Sequence, residues 1–189
     1  SKIIETLKSR NIKEIPGDLV IDDTYFDFQK IPGGWPYNDI GNYYGAGVWG
    51  LNWRENQFDI NTLGKDFKNF NINLEGVHFV NDARTEGTSD RSIIFTTPYN
   101  NVAHITGTLP AKNITISGAT PNPPKQLALE IVAELKKQNI AFNGKMIINS
   151  ERLIEGQNPL AFPKNKVILE YLSPTLDKMV FWFLKKSIN

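Results

Sequence analysis

Apolar residues recur in two rhythms along the chain, and the rhythm changes twice. Residues 1–12 (SKIIETLKSRNI) set Ile3, Ile4 and Leu7 on one side of a short helix, and Pro16-Gly17 breaks it before the strand Asp18-Leu-Val-Ile-Asp22. The same pattern returns over residues 127–149. Leu127, Ile131, Val132 and Leu135 stand at helical spacing, followed by Asn139-Ile140, a break at Gly144 and the strand Lys145-Met-Ile-Ile-Asn149. Leu7-Lys8-x-x-Asn11-Ile12 aligns with Leu135-Lys136-x-x-Asn139-Ile140, and Gly17–Asp22 aligns with Gly144–Asn149, with one residue of length difference between the blocks. Any amphipathic helix before a buried strand reads this way, so the likeness is either a duplication or a coincidence. In both cases the two copies are αβ units that should pack into one small layer.

Between the copies the helical rhythm disappears. From Val48 to Ser117 short alternating or β-branched runs are separated by Gly, Asn, Asp and Pro. The pattern predicts a hairpin from Trp49/Leu51/Trp53 to Phe58/Ile60 that turns near Glu55-Asn56. It then predicts strands near 72–80, 92–97, 101–109 and 113–117, with an exposed loop over 81–90. Pro121, Pro123 and Pro124 lead into the second helix, whose first turn accepts proline. A last strand is expected at 167–171. Ser173 as N-cap and Pro174 at the first helical position open a terminal helix that carries Leu176, Met179, Val180, Phe183 and Leu184 on one face. Asp177 in its first turn and Lys185 and Lys186 in its last favour the helix dipole. No stop signal follows Asn189, which reads as a cut inside a larger protein.

The fold class expected is therefore α+β (mixed). A small α/β domain of repeated helix-strand units (1–30 and 119–157) is interrupted by an inserted all-β domain with an aromatic, glycine-rich entry (31–118). A strand-helix return segment follows (158–189).

Composition narrows the function classes. The 189 residues are 40% apolar and 11% aromatic, enough for one good core or two small ones. Twenty-one basic residues against twenty acidic ones leave a net charge of +1 without long runs of either sign, which argues against nucleic acid as a partner. No stretch approaches the roughly 20 apolar residues of a membrane span. The absence of cysteine excludes disulfides, thiolate metal sites and a cysteine nucleophile. His78 and His104 are the only histidines, and neither has a carboxylate at ligand spacing, so no metal or other cofactor is expected.

Candidate chemistry gathers in two places. Residues 31–54 (IPGGWPYNDIGNYYGAGVWGLNWR) hold three Trp, three Tyr, six Gly and one carboxylate, Asp39. Rings on a glycine-rich backbone can grip a sugar or peptide, with Asp39 pairing an amino group, or they can simply fill a seam between two small domains. Gly45-x-Gly47-x-x-Gly50 has the spelling of a dinucleotide loop but neither the preceding strand nor the following helix. Asp22-Asp23 reads as a strand end and Arg54-Glu55 as a turn tip, without catalytic roles. The second place is Ser187-Ile-Asn189. Penicillin-recognising serine enzymes combine Ser-x-x-Lys, Ser-x-Asn and Lys-Thr-Gly. Here Thr62-Leu-Gly-Lys65 and Thr175-Leu-Asp-Lys178 come nearest to the first, and Lys-Thr-Gly does not occur.

Taken together, the chain resembles the class C low-molecular-mass penicillin-binding proteins, D-alanyl-D-alanine carboxypeptidases and endopeptidases with a large insertion in the catalytic domain. The resemblance rests on Gly17-Asp-Leu-Val-Ile-Asp-Asp-x-x-Phe26, on Gly34-Trp-Pro-Tyr-Asn-Asp39 followed by Tyr43-Tyr44-Gly-Ala46, on Ile105-Thr-Gly-Thr-Leu-Pro110, and on Ser173-Pro-Thr-Leu176 leading to Lys186-Ser-Ile-Asn189. It implies serine acyl transfer on peptidoglycan stem peptides, with β-lactams as further ligands, in an extracytoplasmic compartment. Ser187 would relay a proton, Asn189 would bond the substrate amide, and Asp39 would face the charged end of the stem peptide's diamino acid. Trp35 would form a wall of that pocket, and Tyr43 is a further candidate. The nucleophile, its lysine and the Lys-Thr-Gly are missing from these residues, so the fragment by itself should be inactive. The rival reading is a non-catalytic cell-wall-binding or structural module that uses the Trp35–Trp53 aromatics. The apolar terminal helix leaves a homo-oligomer open.

Overall fold

The computed structural model describes residues 2–162 and 167–186. It is a mixed α/β structure of short helices and small sheets, as the hydrophobic rhythm implied, and it divides into two compact units.

The first unit comprises Ser1–Thr24 and Leu127–Asn189. Helix α1 (Lys2–Ser9) buries Ile4 and Leu7 and leaves Ile3 exposed. Its chain then reverses through Asn11, which takes the left-handed conformation (φ 61°). The Ile12 N–H donates to the Leu7 carbonyl at 3.0 Å and the Asn11 N–H to the Lys8 carbonyl at 2.9 Å, the pair of bonds that closes a helix C-terminus around a left-handed residue. The second copy repeats this closure. Where the long helix that ends at Lys137 stops, Asn139 has φ 55°, Ile140 donates to Leu135 at 3.0 Å and Asn139 to Lys136 at 3.1 Å.

Strands β1 (Glu14–Ile15) and β2 (Leu19–Ile21) follow the first closure, and two further strands, Ala141–Phe142 and Met146–Ile148, follow the second. The copies pair with each other in parallel, Glu14 opposite Ala141 and Leu19 opposite Met146. Residues aligned in the sequence repeat thus lie opposite one another in the ladder. Ile4, Leu7, Leu135 and Ile140 form the core, with Ile12, Ile15, Ile131 and Phe142 packed against it. The crossing of the copies demands a glycine, because a Cβ at Gly144 would overlap the Gly17 carbonyl.

The second unit is Tyr25–Gln126. After a single turn of helix, α2 (Tyr37–Ile40), it is built from β3 (Gln57–Leu63), β4 (Asp66–Phe70), β5 (His78–Asn81), β6 (Arg84–Thr85), β7 (Arg91–Phe95), β8 (Val102–Leu109) and β9 (Asn113–Ala119). One antiparallel sheet has the order β4-β3-β9. In the other, β5 and β6 lie parallel along one edge of β8 and β7 lies antiparallel along the opposite edge. Alternation along each strand turns Phe58, Ile60, Ile94, Ile105, Leu109 and Ile116 inward into one core shared by both sheets.

The chain then re-enters the first unit through α3 (Pro123–Lys137), β10 (Ala141–Phe142), β11 (Met146–Ile148), α4 (Asn149–Ile154) and α5 (Leu176–Lys186). Arg10 Nη2 donates to the Ile168 carbonyl at 3.1 Å, and Lys2 Nζ lies 4.7 Å above the Tyr171 ring, so the return segment lies along α1.

Five expectations need correction. Residues 72–77 carry no strand, and pairing there begins only at His78. The Trp49–Trp53 segment is not a strand: Arg54, Glu55 and Asn56 form a left-handed turn with φ between 53° and 56°, and pairing begins only at Gln57. β6 lies inside the polar 81–90 stretch. Residues 167–171 carry no strand. The terminal helix starts at Leu176, with the first helical bond running from the Met179 N–H to the Thr175 carbonyl at 3.1 Å, rather than at Ser173-Pro174. The Thr175 hydroxyl, with the N–H groups of Lys178 and Asp177, holds the Asp177 carboxyl below the ordinary range.

Candidate functional site

The glycine-rich stretch owes its shape to α2. Pro36 (φ −63°, ψ 141°) sits at the N-cap and Gly41 at the C-cap. Asp39 lies in the only turn, half-buried, with its N–H bonded to the Pro36 carbonyl at 3.0 Å and its own carbonyl accepting the Asn42 N–H at 3.0 Å. A 3₁₀ turn, Tyr43–Gly45, follows directly. It returns so closely over α2 that a Cβ at Gly45 would overlap the Asp39 carbonyl.

Asp39 lies in α2 and Tyr43 opens the 3₁₀ turn that packs back over it, while Trp35 stands immediately before Pro36. Trp35, Tyr37, Tyr43 and Tyr44 are all exposed, between 41% and 59%. Tyr43 and Tyr44 meet edge to face at 5.3 Å. Partial burial raises the pKa of the Tyr44 phenol, and the negative charge of Asp39 and then Tyr43 add to that shift. Asp39 is thus a half-buried carboxylate whose sequence neighbours Trp35, Tyr37, Tyr43 and Tyr44 expose their rings.

The aromatics split by role. Trp49 is 1% exposed and packs on Tyr99 at 4.9 Å, with Lys30 Nζ 5.1 Å from its ring. Lys30 is itself buried and donates to the Asp27 carbonyl at 2.9 Å. Filling a core thus describes Trp49, and an open surface describes Trp35, Tyr37, Tyr43 and Tyr44. Ser187 and Asn189 lie outside the described residues. α5, which leads toward them, exposes Leu176, Met179, Phe181, Trp182 and Leu184.

Other candidates have structural explanations. Asp22 Oδ1 accepts the Thr24 hydroxyl at 2.7 Å and N–H at 3.3 Å, and Asn149 Nδ2 at 3.3 Å. The Thr24 hydroxyl chiefly, with Asn149 and the Thr24 N–H, outweighs desolvation and holds the Asp22 carboxyl below its ordinary range. Asp23 is fully buried and Oδ1 accepts the Ser150 N–H at the start of α4 at 2.9 Å. His104 Nε2 pairs with Asp82 Oδ2 at 2.7 Å, a carboxylate that sequence spacing did not suggest. Among the described residues no three His, Cys, Asp or Glu side chains gather into a metal-binding group, and no helix is long and apolar enough to cross a membrane.

Sequence reasoning missed Asn42 and Asn56, both buried. Asn56 Nδ2 donates to the Gly47 carbonyl at 3.2 Å and to Asn52 Oδ1 at 2.6 Å, fixing the second half of the stretch. Their only signal was an asparagine within a glycine-rich run, which reads as a turn former.

The chain belongs to the D-Ala-D-Ala carboxypeptidase 3 (S13) family, whose sequence profile matches residues 1–189. A crystal structure of penicillin binding protein 4 (dacB) from Haemophilus influenzae is similar over 100% of this chain and 42% of its own, with 23% identity and a TM-score of 0.71. A second structure of that protein, complexed with a novel beta-lactam, is 21% identical over 99% of this chain and 39% of its own, with a TM-score of 0.56. At these identities the likeness is one of fold, and the chain spans about two fifths of those structures. No curated protein matches the chain.

Proposed function

We propose that this chain is part of a serine-type D-Ala-D-Ala carboxypeptidase or endopeptidase that acts on peptidoglycan stem peptides outside the cytoplasm. The observation that carries this reading is the family match over the whole chain. In the proposed reaction a serine attacks the carbonyl of the penultimate D-alanine, a lysine accepts its proton, and water releases the acyl-enzyme. Neither Ser-x-x-Lys nor Lys-Thr-Gly occurs in these 189 residues, so both groups would come from the rest of the protein. Ser187 would relay a proton to the leaving amine and Asn189 would bond the substrate amide. The reading divides the chain into an α/β domain (1–30 and 119–157), an inserted β domain (31–118) and a return segment (158–189). The exposed apolar side chains of α5 support packing of that segment against a further domain.

Within this reading Asp39 receives the side-chain ammonium of the stem peptide's diamino acid, flanked by Trp35 and Tyr43. A half-buried carboxylate suits that task, since a charged donor bonded to a carboxylate is stronger than a neutral pair. A β-lactam would acylate the same serine without using Asp39.

Fluorescent penicillin tests the assignment. The longer gene product should label and the 189-residue chain should not; labelling of the chain alone would overturn the catalytic roles. The exposed rings Trp35, Tyr37, Tyr43 and Tyr44 favour one rival, a non-catalytic cell-wall-binding module. Retention of the isolated chain on purified peptidoglycan, abolished by Trp35→Ala, would support that rival.

A further inference from the structure

α2 is a single turn, too short to hold its own geometry, so Asp39 is only as fixed as the contacts beneath it. Those contacts converge on Asn42, which is 6% exposed. Its Nδ2 donates to the Asn38 carbonyl in α2 at 2.6 Å, and its Oδ1 accepts the Ile94 N–H of β7 at 3.2 Å. Its own N–H donates to the Asp39 carbonyl, and its carbonyl accepts the Gly45 N–H at 2.9 Å. It also forms an antiparallel bridge with Gly118 of β9, beside Ala119, whose N–H donates to the Gly41 carbonyl at 2.9 Å. One residue therefore joins the Asp39 turn to an edge strand of each sheet.

A backbone carbonyl in a one-turn helix and a strand N–H that points away from its ladder are both polar groups that burial penalises unless they are bonded. The Asn42 amide satisfies one with its donor and the other with its acceptor. An apolar residue of the same size satisfies neither, and the turn, left with its backbone links to β9, loses its hold on β7 and lets Asp39 shift.

We propose that Asn42 is the positioning residue of the Asp39 subsite: its amide fixes the turn that aims the carboxylate, and so sets the preference for an amine-bearing side chain without touching substrate. This rests on the reading of Asp39 given above. Asn42 works through two bonds at right places in the fold, and its effect on specificity passes entirely through Asp39.

The test has a geometric arm and a functional arm. In the 189-residue chain, the Tyr44 phenol is titrated in the wild type and in Asn42→Leu, Asp39→Asn and the double variant. Tyr44 should titrate lower in Asn42→Leu, in the same direction as in Asp39→Asn, and the double variant should match Asp39→Asn alone. Asn42→Ser, which is smaller and remains polar, provides the same comparison if the leucine variant fails to fold. A Tyr44 titration that ignores Asn42→Leu overturns the proposal, as does a shift that persists in the Asp39→Asn background, because Tyr44 itself would then be what moved. In the longer protein, Asn42→Leu should raise KM about tenfold for a stem peptide with a free side-chain amine and leave its N-acetylated form and penicillin acylation unchanged. Equal losses on both peptides overturn positioning. A wild type that does not distinguish the two peptides removes the subsite reading, while the Tyr44 result still decides what Asn42 holds.

Discussion

The helix closures of the first unit and the glycine-rich stretch of the second use asparagine differently. In the duplicated unit Asn11 and Asn139 contribute backbone conformation: each takes a left-handed φ at a helix end, and each is followed by an isoleucine that closes the helix. In the glycine-rich stretch Asn42 and Asn56 contribute buried amides that bridge segments with no regular pairing of their own, Asn56 while also taking a left-handed φ. The first use leaves a trace in the sequence, because it lies at a fixed place in a periodic pattern and occurs twice. The second leaves none, because its partners stand at no periodic spacing: atoms four and nine residues away and, for Asn42, the Ile94 N–H in a distant strand. Where a fold repeats, its rules are visible. Where a loop is held by single bonds, the residue that matters resembles any turn former.

Two glycines break the comparison hardest. Alanine at Gly144 forces a methyl group into the Gly17 carbonyl, between two backbones that cannot yield. It should cost about 3 kcal/mol in denaturant unfolding and remove exchange protection at the Leu19 N–H, which donates to the Lys145 carbonyl at 2.9 Å. Alanine at Gly45 meets the Asp39 carbonyl in the same way, and Gly45 is buried, but it lies in a single 3₁₀ turn outside both sheets. About 1–2 kcal/mol is expected, with the Asp39 turn displaced and protection at Ile60 and Ile116 intact. Equal global losses from both would erase the contrast between a packed crossing and a movable turn.

A finer probe is the asparagine pair. Asn11→Ala and Asn139→Ala should each cost about 1 kcal/mol by the left-handed penalty, while the glycine variants should be neutral or slightly stabilising. A large cost at one site only would mean that the two closures are not equivalent.

The smallest effect is acid dependence at Asp22. Its folded pKa lies below its unfolded one, so its contribution is fully present above the ordinary aspartate value of about 3.9 and is lost as pH falls through the folded value. Because Asp22 is exposed, solvent screens most of that contribution. Asp22→Asn should lower stability slightly above about pH 4, leave it nearly unchanged in stronger acid and so flatten the acid limb of the stability curve, as followed by urea midpoints.

Much of the fold was legible because it is periodic. The duplicated helix and strand, their pairing into one layer, and the strands around Ile94, Ile105 and Ile116 all follow from hydrophobic spacing. The errors fall where spacing carries no information. Trp49, Leu51 and Trp53 alternate like a strand, yet a left-handed turn at Arg54–Asn56 takes the chain out of pairing. β6 is two residues long and polar, held by parallel bonding to β8 rather than by burial. Of the candidate site, Asp39, Trp35 and Tyr43 were legible as types in a cluster, while the α2 turn and its Asn42 support were not. Those depend on strands β7 and β9, more than fifty residues away in sequence.

The central claim is that Asp39 selects a charged amine. Its most direct test is the ratio of kcat/KM for a stem peptide with a free diamino-acid amine to that for the same peptide N-acetylated, measured in the longer wild-type protein and in Asp39→Asn. The wild type should favour the free amine by about 10- to 100-fold, as expected for a hydrogen bond to a charged group, and the ratio should fall close to one in the variant while penicillin acylation is unchanged. A ratio that is the same in both proteins would contradict the claim.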